Sequence, residues 1–249
     1  MLFNEFGKKD SPPVLLLHGM MQDWHSEYEL LKSLEQNYRL IIPAQDGFYD
    51  GSGDFTSFAD QAGQIEEYID KNYAGRLYGA YGASQGGLIL TELLTRNNVS
   101  LGTVIMDGCY VAHQGKIAGM VSAWMFKRLT NTGKLPPVIM ITMKLMGLKA
   151  KDLSMMDLLY LKASDISIER NFIENYTYHT RPEIAHNETM VHLWCGSKEP
   201  YALKSHKILK KYLKNYKEEI MQGFGHGEFL LKHTDECCAK IRCTFDDKI

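Results

Sequence analysis

Short apolar runs alternate with segments of helical periodicity along most of the chain. We interpret the apolar runs at 14–17, 38–43, 76–81, 101–106, 189–195 and 218–221 as strands, and the start of the chain leaves room for one more. Helical spacing lies between them at 24–34, 58–68, 88–94 and 201–213, and a last helix is expected from about Glu228. Continuous apolar runs are typical of strands buried on both faces of a parallel sheet. The pattern predicts an α/β fold, with a mostly parallel sheet and helices on both faces.

One long gap interrupts this alternation. About 80 residues separate the strand that ends near Asp107 from the strand that begins near Thr189, whereas a parallel crossover needs only a dozen or so. We interpret the excess, residues 110–188, as a helical cap or lid. On this reading the cap is inserted into a core made of residues 1–109 and 189–249.

The composition of this insert is unusual. It holds 7 of the 13 methionines and an apolar stretch at 138–148, which Pro136-Pro137 separates from an earlier amphipathic helix. The predicted helix carries Ile117, Met120, Val121 and Trp124. Methionine-rich surfaces adapt to varied apolar ligands, so we expect the insert to contact the ligand, with simple packing as the alternative.

Composition and charge exclude several classes of protein. The 249 residues can bury a full core without disulfides or a metal, and 28 basic against 30 acidic residues argue against a nucleic-acid partner. The cysteines show no zinc-binding pattern and are expected as reduced thiols: Cys109, Cys195, Cys237, Cys238 and Cys243. The first residues do not resemble a signal peptide, and no apolar run reaches the length of a membrane span. A cytoplasmic protein without a membrane span is therefore expected.

The clearest chemical motif is G-A-S-Q-G at 82–86. It directly follows the strand at 76–81 and opens the next helix. A serine in this context is typical of a nucleophile elbow, a strained turn that exposes the hydroxyl at the carboxyl edge of a sheet. Ser84 is therefore our candidate nucleophile, and a plain glycine-rich turn is the alternative.

A serine hydroxyl needs a general base and an acid that orients this base. His226 is the candidate base, because it stands in G-F-G-H-G at 223–227, between the last predicted strand and the last helix. The expected chain order is serine, acid, histidine. Glu199, three residues after the strand-ending Gly196, is the favoured acid, and Asp107, which directly ends the fourth apolar run, is the alternative.

Two backbone N–H groups are candidates for an oxyanion hole. The N–H of Gln85 follows the nucleophile at the start of a helix. The second donor is expected in the loop after the first apolar run, which reads H-G-M at 18–20, so the N–H of Met20 is the candidate. His18 is expected to shape this loop.

Four motifs together resemble the α/β-hydrolase fold superfamily, in the family's order and spacing. They are L-L-L-H-G-M at 15–20, Y-G-A-S-Q-G-G at 81–87, H-L-W-C-G-S-K-E-P-Y-A at 192–202 and G-F-G-H-G at 223–227. The resemblance covers nearly the whole chain and implies a cap between the sixth and seventh strands of the family's eight. The segment that supplies the acid reads G-x-x-D-P in the family, so Glu199 stands in the aspartate's place. The segment P-A-Q-D-G-F-Y-D-G-S-G at 43–53 is also longer than the family's form.

The resemblance implies acyl transfer, since family members that open epoxides or displace halide use aspartate at the elbow. We therefore predict a serine hydrolase that cleaves a carboxylic ester of a small to medium, largely apolar substrate, without a cofactor or a metal. A thioesterase, a peptidase or a C–C bond hydrolase on the same triad is one alternative. A ligand-binding protein of this fold with little turnover is another. The predicted partner is a small acyl substrate, and the sequence shows no signature of an oligomer interface.

Overall fold

A mostly parallel sheet forms the centre of the fold. The computed structural model describes residues 1–132 and 159–247, and within them seven strands form one sheet in the order β1-β3-β2-β4-β5-β6-β7. Only β1 runs antiparallel to its neighbour. The strands are β1 Leu2–Phe6, β2 Pro13–Leu17, β3 Arg39–Ala44, β4 Arg76–Ala83, β5 Ser100–Asp107, β6 Met190–Gly196 and β7 Tyr216–Met221. The predicted α/β fold with a mostly parallel sheet is confirmed.

Helices cover both faces of this sheet. In chain order they are α1 Trp24–Leu31, α2 Phe58–Tyr73, α3 Gln85–Arg96, α4 Lys116–Thr132, α5 Asp165–Thr177, α6 Pro200–Leu209, α7 Glu228–Lys232 and α8 Thr234–Asp246. Two apolar clusters result, because strand side chains alternate between the faces. In β2, Leu15 and Leu17 join the cluster of α2, α3 and α6, whereas Val14 and Leu16 join the cluster of α1 and α8.

Local sequence signals fix the ends of α2. The Ser57 side chain accepts a hydrogen bond from the N–H of Asp60, which caps the first turn. The helix ends at Ala74, whose φ of 51° is left-handed. The apolar face of α2 is buried throughout, at Phe58, Ala62, Ile65 and Ile69.

The last predicted helix is two helices. His233, at φ −129° and ψ 45°, interrupts the helical backbone between α7 and α8. In α8, the side chains of Cys238, Ile241 and Phe245 are buried. In α7, however, the buried side chain is Leu230, and Leu231 is only half-buried. The prediction of one continuous helix is therefore wrong at His233, and α7 and α8 each bury a face of their own.

Two helices of the long insert pack closely against each other. Gly119 of α4 makes the close contact possible, because a Cβ at this position would lie 3.0 Å from the Phe172 carbonyl oxygen of α5. The predicted helix is present as α4, but its apolar stripe is exposed, with Ile117 at 78%. The stretch at 138–148, Pro136-Pro137 and five methionines of the insert lie outside the described residues. The interpretation of 110–188 as a separate cap stays a prediction.

Helix α5 is also joined to the core. The Phe55 N–H donates to Ser167 Oγ at 2.9 Å, and the Phe58 N–H donates to Glu174 Oε1 at 2.9 Å. In residues 1–132 and 159–247, no helix combines the length and the apolar character needed to cross a bilayer.

Strand β4, helix α3 and strand β2 meet at two glycines. A Cβ on Gly86 would lie 2.2 Å from the Leu17 carbonyl oxygen, and a Cβ on Gly82 would lie 2.6 Å from the Gly86 carbonyl carbon. Backbone atoms stand on both sides of each contact, so no side-chain rotation can relieve it. The motif G-x-S-x-G thus brings a strand and a helix closer than any larger residue allows.

We predict that Gly86→Ala lowers the free energy of unfolding by about 3 kcal/mol or more, because its Cβ meets backbone that must shift. Denaturant unfolding followed by circular dichroism measures this change. Gly53→Ala is the matched control, since nothing lies within 4 Å of a Cβ there. Equal unfolding midpoints for the two variants would contradict the prediction.

Candidate active site

Ser84 stands on a strained turn between β4 and α3. Its φ of 50° and ψ of −109° are rarely adopted by residues with a side chain and cost on the order of 1–3 kcal/mol. Two backbone hydrogen bonds hold this conformation. The Ser84 N–H donates to the Asp107 carbonyl at 2.7 Å, and the Gly87 N–H donates to the Ser84 carbonyl at 3.1 Å. The turn therefore has the geometry that the sequence predicts for a nucleophile elbow.

The structure brings Ser84, His226 and Glu199 into one hydrogen-bonded chain. His226 Nε2 lies 3.0 Å from Ser84 Oγ, and His226 Nδ1 lies 2.6 Å from Glu199 Oε2. Because Nδ1 faces a carboxylate, it carries the ring proton of the neutral imidazole. Nε2 is then free to accept the serine hydroxyl, as a general base must.

The glutamate side chain reaches the histidine by folding back over its own loop. Glu199 is 3% exposed, and its Oε1 accepts a hydrogen bond from the Gly196 N–H at 2.5 Å. Its Oε2 also accepts from the Tyr110 hydroxyl at 3.3 Å, and the Tyr110 ring packs on the His226 ring. The extra methylene is thus taken up by the return to Gly196. Sequence reasoning missed Tyr110, although it lies three residues after Asp107.

Asp107 occupies a different position from the one an orienting acid needs. Its Oδ2 accepts a hydrogen bond from the Tyr81 hydroxyl at 2.8 Å, and it lines the same cavity as Ser84. Burial raises the pKa of Asp107 to about 6, against the Tyr81 hydrogen bond, which lowers it. Of the two predicted acids, Glu199 is therefore the one in direct contact with the imidazole.

The interaction between His226 and Glu199 favours a protonated imidazole beside an ionised carboxylate. Burial opposes charge on both groups, but the hydrogen bond with Glu199 and its negative charge outweigh it and raise the pKa of His226. The same hydrogen bond and the charge of His226 lower the pKa of Glu199 against its burial. With 30% of its side chain exposed, His226 remains reachable from the cavity.

The predicted oxyanion loop forms a tight turn. Its residue Met21 has a φ of 59°, and the Gly19 N–H is taken by Gln22 Oε1 at 2.9 Å. The Met20 N–H meets no acceptor in the described part of the chain. Gln85 is the first residue of α3, and the first N–H groups of a helix have no partner within it. Both predicted donors are thus available, and their role stays a prediction.

His18 lies beneath this loop. It is fully buried, and its Nδ1 donates to the Gly19 carbonyl at 2.9 Å. Burial lowers the pKa of His18 to about 4, so the ring is neutral at physiological pH. These contacts fit the structural role expected for it.

A cavity of about 220 Å³ opens above Ser84 and His226. Most of the side chains in its wall are apolar. The lining residues are Gly19, Met20, Gln22, Leu30, Ala83, Ser84, Asp107, Leu159, His226, Gly227, Leu230 and Leu231. The predicted Met20 and Ser84 therefore share one cavity with His226.

A chain of three amides links the insert to the elbow. Asn175 Nδ2 donates to Gln85 Oε1 at 2.9 Å, and Gln85 Nε2 donates to Gln45 Oε1 at 2.9 Å. Gln45 Nε2 in turn donates to the His18 carbonyl at 3.3 Å. Sequence reasoning missed this chain, because no local pattern relates an insert helix to a residue 90 positions earlier.

A segment of the insert also pairs with the oxyanion loop. The Tyr160 N–H donates to the Met21 carbonyl at 2.7 Å, and Leu159 forms a bridge with Gln22. Together with Asn175, these contacts hold the insert against both predicted oxyanion segments.

The comparisons with known proteins are consistent in fold. No family model and no curated protein matches the sequence. An alpha/beta hydrolase family protein from Desulfitobacterium hafniense is similar with a TM-score of 0.82 at 20% identity, over 97% of this chain and 98% of the other. A lipase-esterase related protein from Clostridium acetobutylicum gives 0.76 at 16%, over 98% of each chain. MenH from S. aureus gives 0.78 at 11%, over 98% of each chain.

These similarities establish the architecture. The chain has the α/β-hydrolase fold, so the fold that the four motifs imply is confirmed. At identities of 11% to 20%, the reaction has to be argued from the site itself.

We predict that Asn175→Leu lowers the free energy of unfolding by about 1–3 kcal/mol, because the buried Gln85 Oε1 loses its donor. Denaturant unfolding measures the change. Asn72→Leu is the control, since the exposed Asn72 donates through Nδ2 to the Tyr68 carbonyl of its own helix, and its effect should stay within about 0.5 kcal/mol. A loss at position 175 no larger than at position 72 would contradict the prediction.

Proposed function

We propose that this protein is a serine hydrolase that cleaves carboxylic esters with a small to medium, largely apolar acyl group. The observation that carries the proposal is the chain Ser84–His226–Glu199, with contacts of 3.0 and 2.6 Å, at the floor of an apolar cavity. The solved structures of the same fold include esterases and an enol-lactonase, which is in keeping with ester cleavage.

The first half of the reaction forms an acyl-enzyme. Ser84 Oγ attacks the ester carbonyl carbon while His226 Nε2 takes the hydroxyl proton, and Glu199 stabilises the resulting imidazolium. The negative charge passes to the carbonyl oxygen, which the N–H groups of Met20 and Gln85 hold. One such donor typically contributes about 10²–10³ in rate. The carbon–oxygen bond then breaks, and the alcohol leaves with the proton from His226.

The second half releases the acid. His226 Nε2 takes a proton from a water molecule, whose oxygen attacks the acyl carbon. The new tetrahedral intermediate collapses, and Ser84 Oγ leaves with the proton returned from His226. Each residue is back in its starting state after one water has been consumed.

The cavity supports a short, uncharged acyl group. Its volume is about 220 Å³, and its described lining contains no lysine or arginine to hold an anion. The insert contributes Leu159 to the wall and is joined to the oxyanion loop beside it. We propose that residues 110–188 act as the cap of this cavity.

Two alternatives use the same residues differently. A thioesterase, a peptidase or a C–C bond hydrolase would also need Ser84 and His226, so only a panel of substrates separates it from an esterase. A ligand-binding protein with little turnover would leave Ser84 inert. The distance of 3.0 Å from Ser84 Oγ to His226 Nε2 favours a reactive serine.

We predict that Ser84→Ala abolishes both ester hydrolysis and fluorophosphonate labelling, because it removes the attacking oxygen. The loss in kcat should be on the order of 10⁴-fold or more. Hydrolysis of p-nitrophenyl butyrate and mass spectrometry of the labelled protein measure the two effects. Ser100→Ala, at an exposed serine that starts β5, should leave both unchanged. Hydrolysis that survives in Ser84→Ala, or a folded wild-type protein that resists labelling, would refute the mechanism.

We expect kcat/KM to rise with pH through the pKa of His226, since only the neutral imidazole can accept the proton of the Ser84 hydroxyl. We predict that this pKa lies above the ordinary value of about 6.5, because the hydrogen bond and charge of Glu199 raise it. Glu199→Gln removes the charge and leaves only a neutral oxygen to accept from His226, so the rise should move to lower pH while kcat falls by roughly 10²–10⁴-fold.

Asp107→Asn is the matched variant for this profile. It removes a charge that acts on His226 only through space, so the rise should shift less and kcat should change little. Full pH profiles of the wild type and both variants test this. A large loss of kcat in Asp107→Asn with a small one in Glu199→Gln would transfer the orienting role to Asp107.

A further inference from the structure

The side chain of Gln22 has one end fixed and the other free. The Gly19 N–H donates to its amide, and since a backbone N–H is only a donor, the accepting atom must be Oε1, at 2.9 Å. This hydrogen bond settles which way the amide is turned. Nε2 is the free end, and it meets no acceptor in residues 1–132 and 159–247.

The amide of Gln22 lies on the same side of Gly19 as Ser84. Gln22 and Ser84 both line the 220 Å³ cavity. A Cβ on Gly19 would lie 2.7 Å from Gln22 Oε1 and 3.7 Å from Ser84 Cβ, so both side chains approach the same point. The backbone of Gln22 is itself held by its bridge with Leu159. The donor is thus placed by its own hydrogen bond and by the pairing of its backbone.

The surroundings of Gln22 select the kind of group that it can bind. The apolar side chains of the described lining, such as Leu30, Leu230 and Leu231, offer no hydrogen bonds, so a substrate acceptor that enters the cavity depends on few donors. Asp107 in the wall disfavours an anion, and an amide N–H is itself uncharged. The matching group is an uncharged oxygen acceptor, an ether or a ketone.

The acyl side of the substrate is the side held longest at this position. During the proposed reaction the acyl group stays bonded to Ser84 Oγ, while the alcohol departs with the proton from His226. A donor beside Ser84 can therefore act on the acyl group in both halves of the reaction, whereas the alcohol is present only in the first.

From these observations, and resting on the proposed function, we propose that Gln22 Nε2 donates a hydrogen bond to the substrate. The preferred substrates are then esters whose acyl chain carries an uncharged oxygen acceptor near the scissile carbonyl, such as an alkoxy- or oxo-acyl group. Gln22 acts as a specificity-determining residue, and its second function is to hold the oxyanion loop through Gly19.

The test compares two esters of one leaving group. The p-nitrophenyl esters of methoxyacetic and butyric acid have acyl chains of equal length, and an ether oxygen replaces one methylene. Their intrinsic reactivities differ, but this difference is common to the wild type and to its variants. The informative quantity is therefore the ratio of the two kcat/KM values, compared between proteins.

Two variants separate the two functions of Gln22. Gln22→Glu keeps an oxygen that accepts from Gly19 N–H but lacks the amide donor. Gln22→Met lacks both and introduces no charge. We expect each variant to lower the ratio of methoxyacetate to butyrate by about three- to tenfold, the effect of one neutral hydrogen bond. Gln22→Met should in addition lower kcat/KM for both esters, because the loop loses its tie.

The outcomes are decisive in either direction. An unchanged ratio in either variant overturns the inference, including the case in which only the charged glutamate lowers it. Fluorophosphonate labelling of Ser84 confirms that each variant has a folded, reactive site. If the wild type cleaves neither ester and resists the label, the proposed function fails and this inference fails with it. If it cleaves both and the ratio does not change, only the inference fails.

Discussion

The hydrogen bond between Glu199 Oε2 and His226 Nδ1 joins two loops that leave different strands of the sheet. The loop after β6 and the loop after β7 are first tied together by backbone contacts, among them Lys198 N–H to the Phe224 carbonyl at 3.0 Å. The Gly223 N–H adds a bond to Ser197 Oγ at 2.9 Å. Only with both loops held does the imidazole face Ser84. The site thus depends on order in two short segments that contribute little to the apolar core.

Ser84, the candidate nucleophile, is held in place by backbone packing. Ser84 is fixed by the close crossing of β4, α3 and β2, where backbone meets backbone. Its own N–H is tied to the carbonyl of Asp107 at the end of β5. Since the carboxyl ends of parallel strands share one edge of the sheet, loops from β2, β4, β5, β6 and β7 converge there. A rigid serine and a loop-borne histidine are therefore brought together by topology rather than by nearness in sequence.

Much of this arrangement follows from local patterns. Apolar runs and helical spacing were sufficient to predict the α/β sheet, and small glycine-flanked motifs were sufficient to predict that Ser84 and His226 meet. The sequence favoured Glu199 as the acid but left Asp107 open, because both residues follow strands at the same edge. The choice depends on a side chain that folds back onto Gly196, which no periodicity encodes. The interruption at His233 escaped prediction for a similar reason, since the residues on both sides favour a helix.

The contacts of the insert were the least predictable part. Asn175 meets Gln85 across 90 positions of sequence, and neither residue type indicates such a contact. The apolar stripe of α4 was expected from its spacing, but spacing does not say whether a stripe faces the core or solvent. In the structure Ile117 is exposed, and the packing against α5 uses small residues such as position 119 instead.

Charged and buried groups around the edge of the sheet set the pKa of the His226 imidazole. Burial raises the pKa of Glu27 to about 8, with the charge of Asp107 adding to it, so Glu27 is largely protonated at neutral pH. Tyr81 donates to Asp107 and so favours its charged form. The negative charge that acts on His226 then comes from Glu199 first and Asp107 second. In the proposed mechanism, these charges stabilise the imidazolium that forms when Ser84 loses its proton. The same charges also set a limit, because an imidazole with a higher pKa is neutral only at higher pH. A general base acts best when its pKa lies close to the working pH.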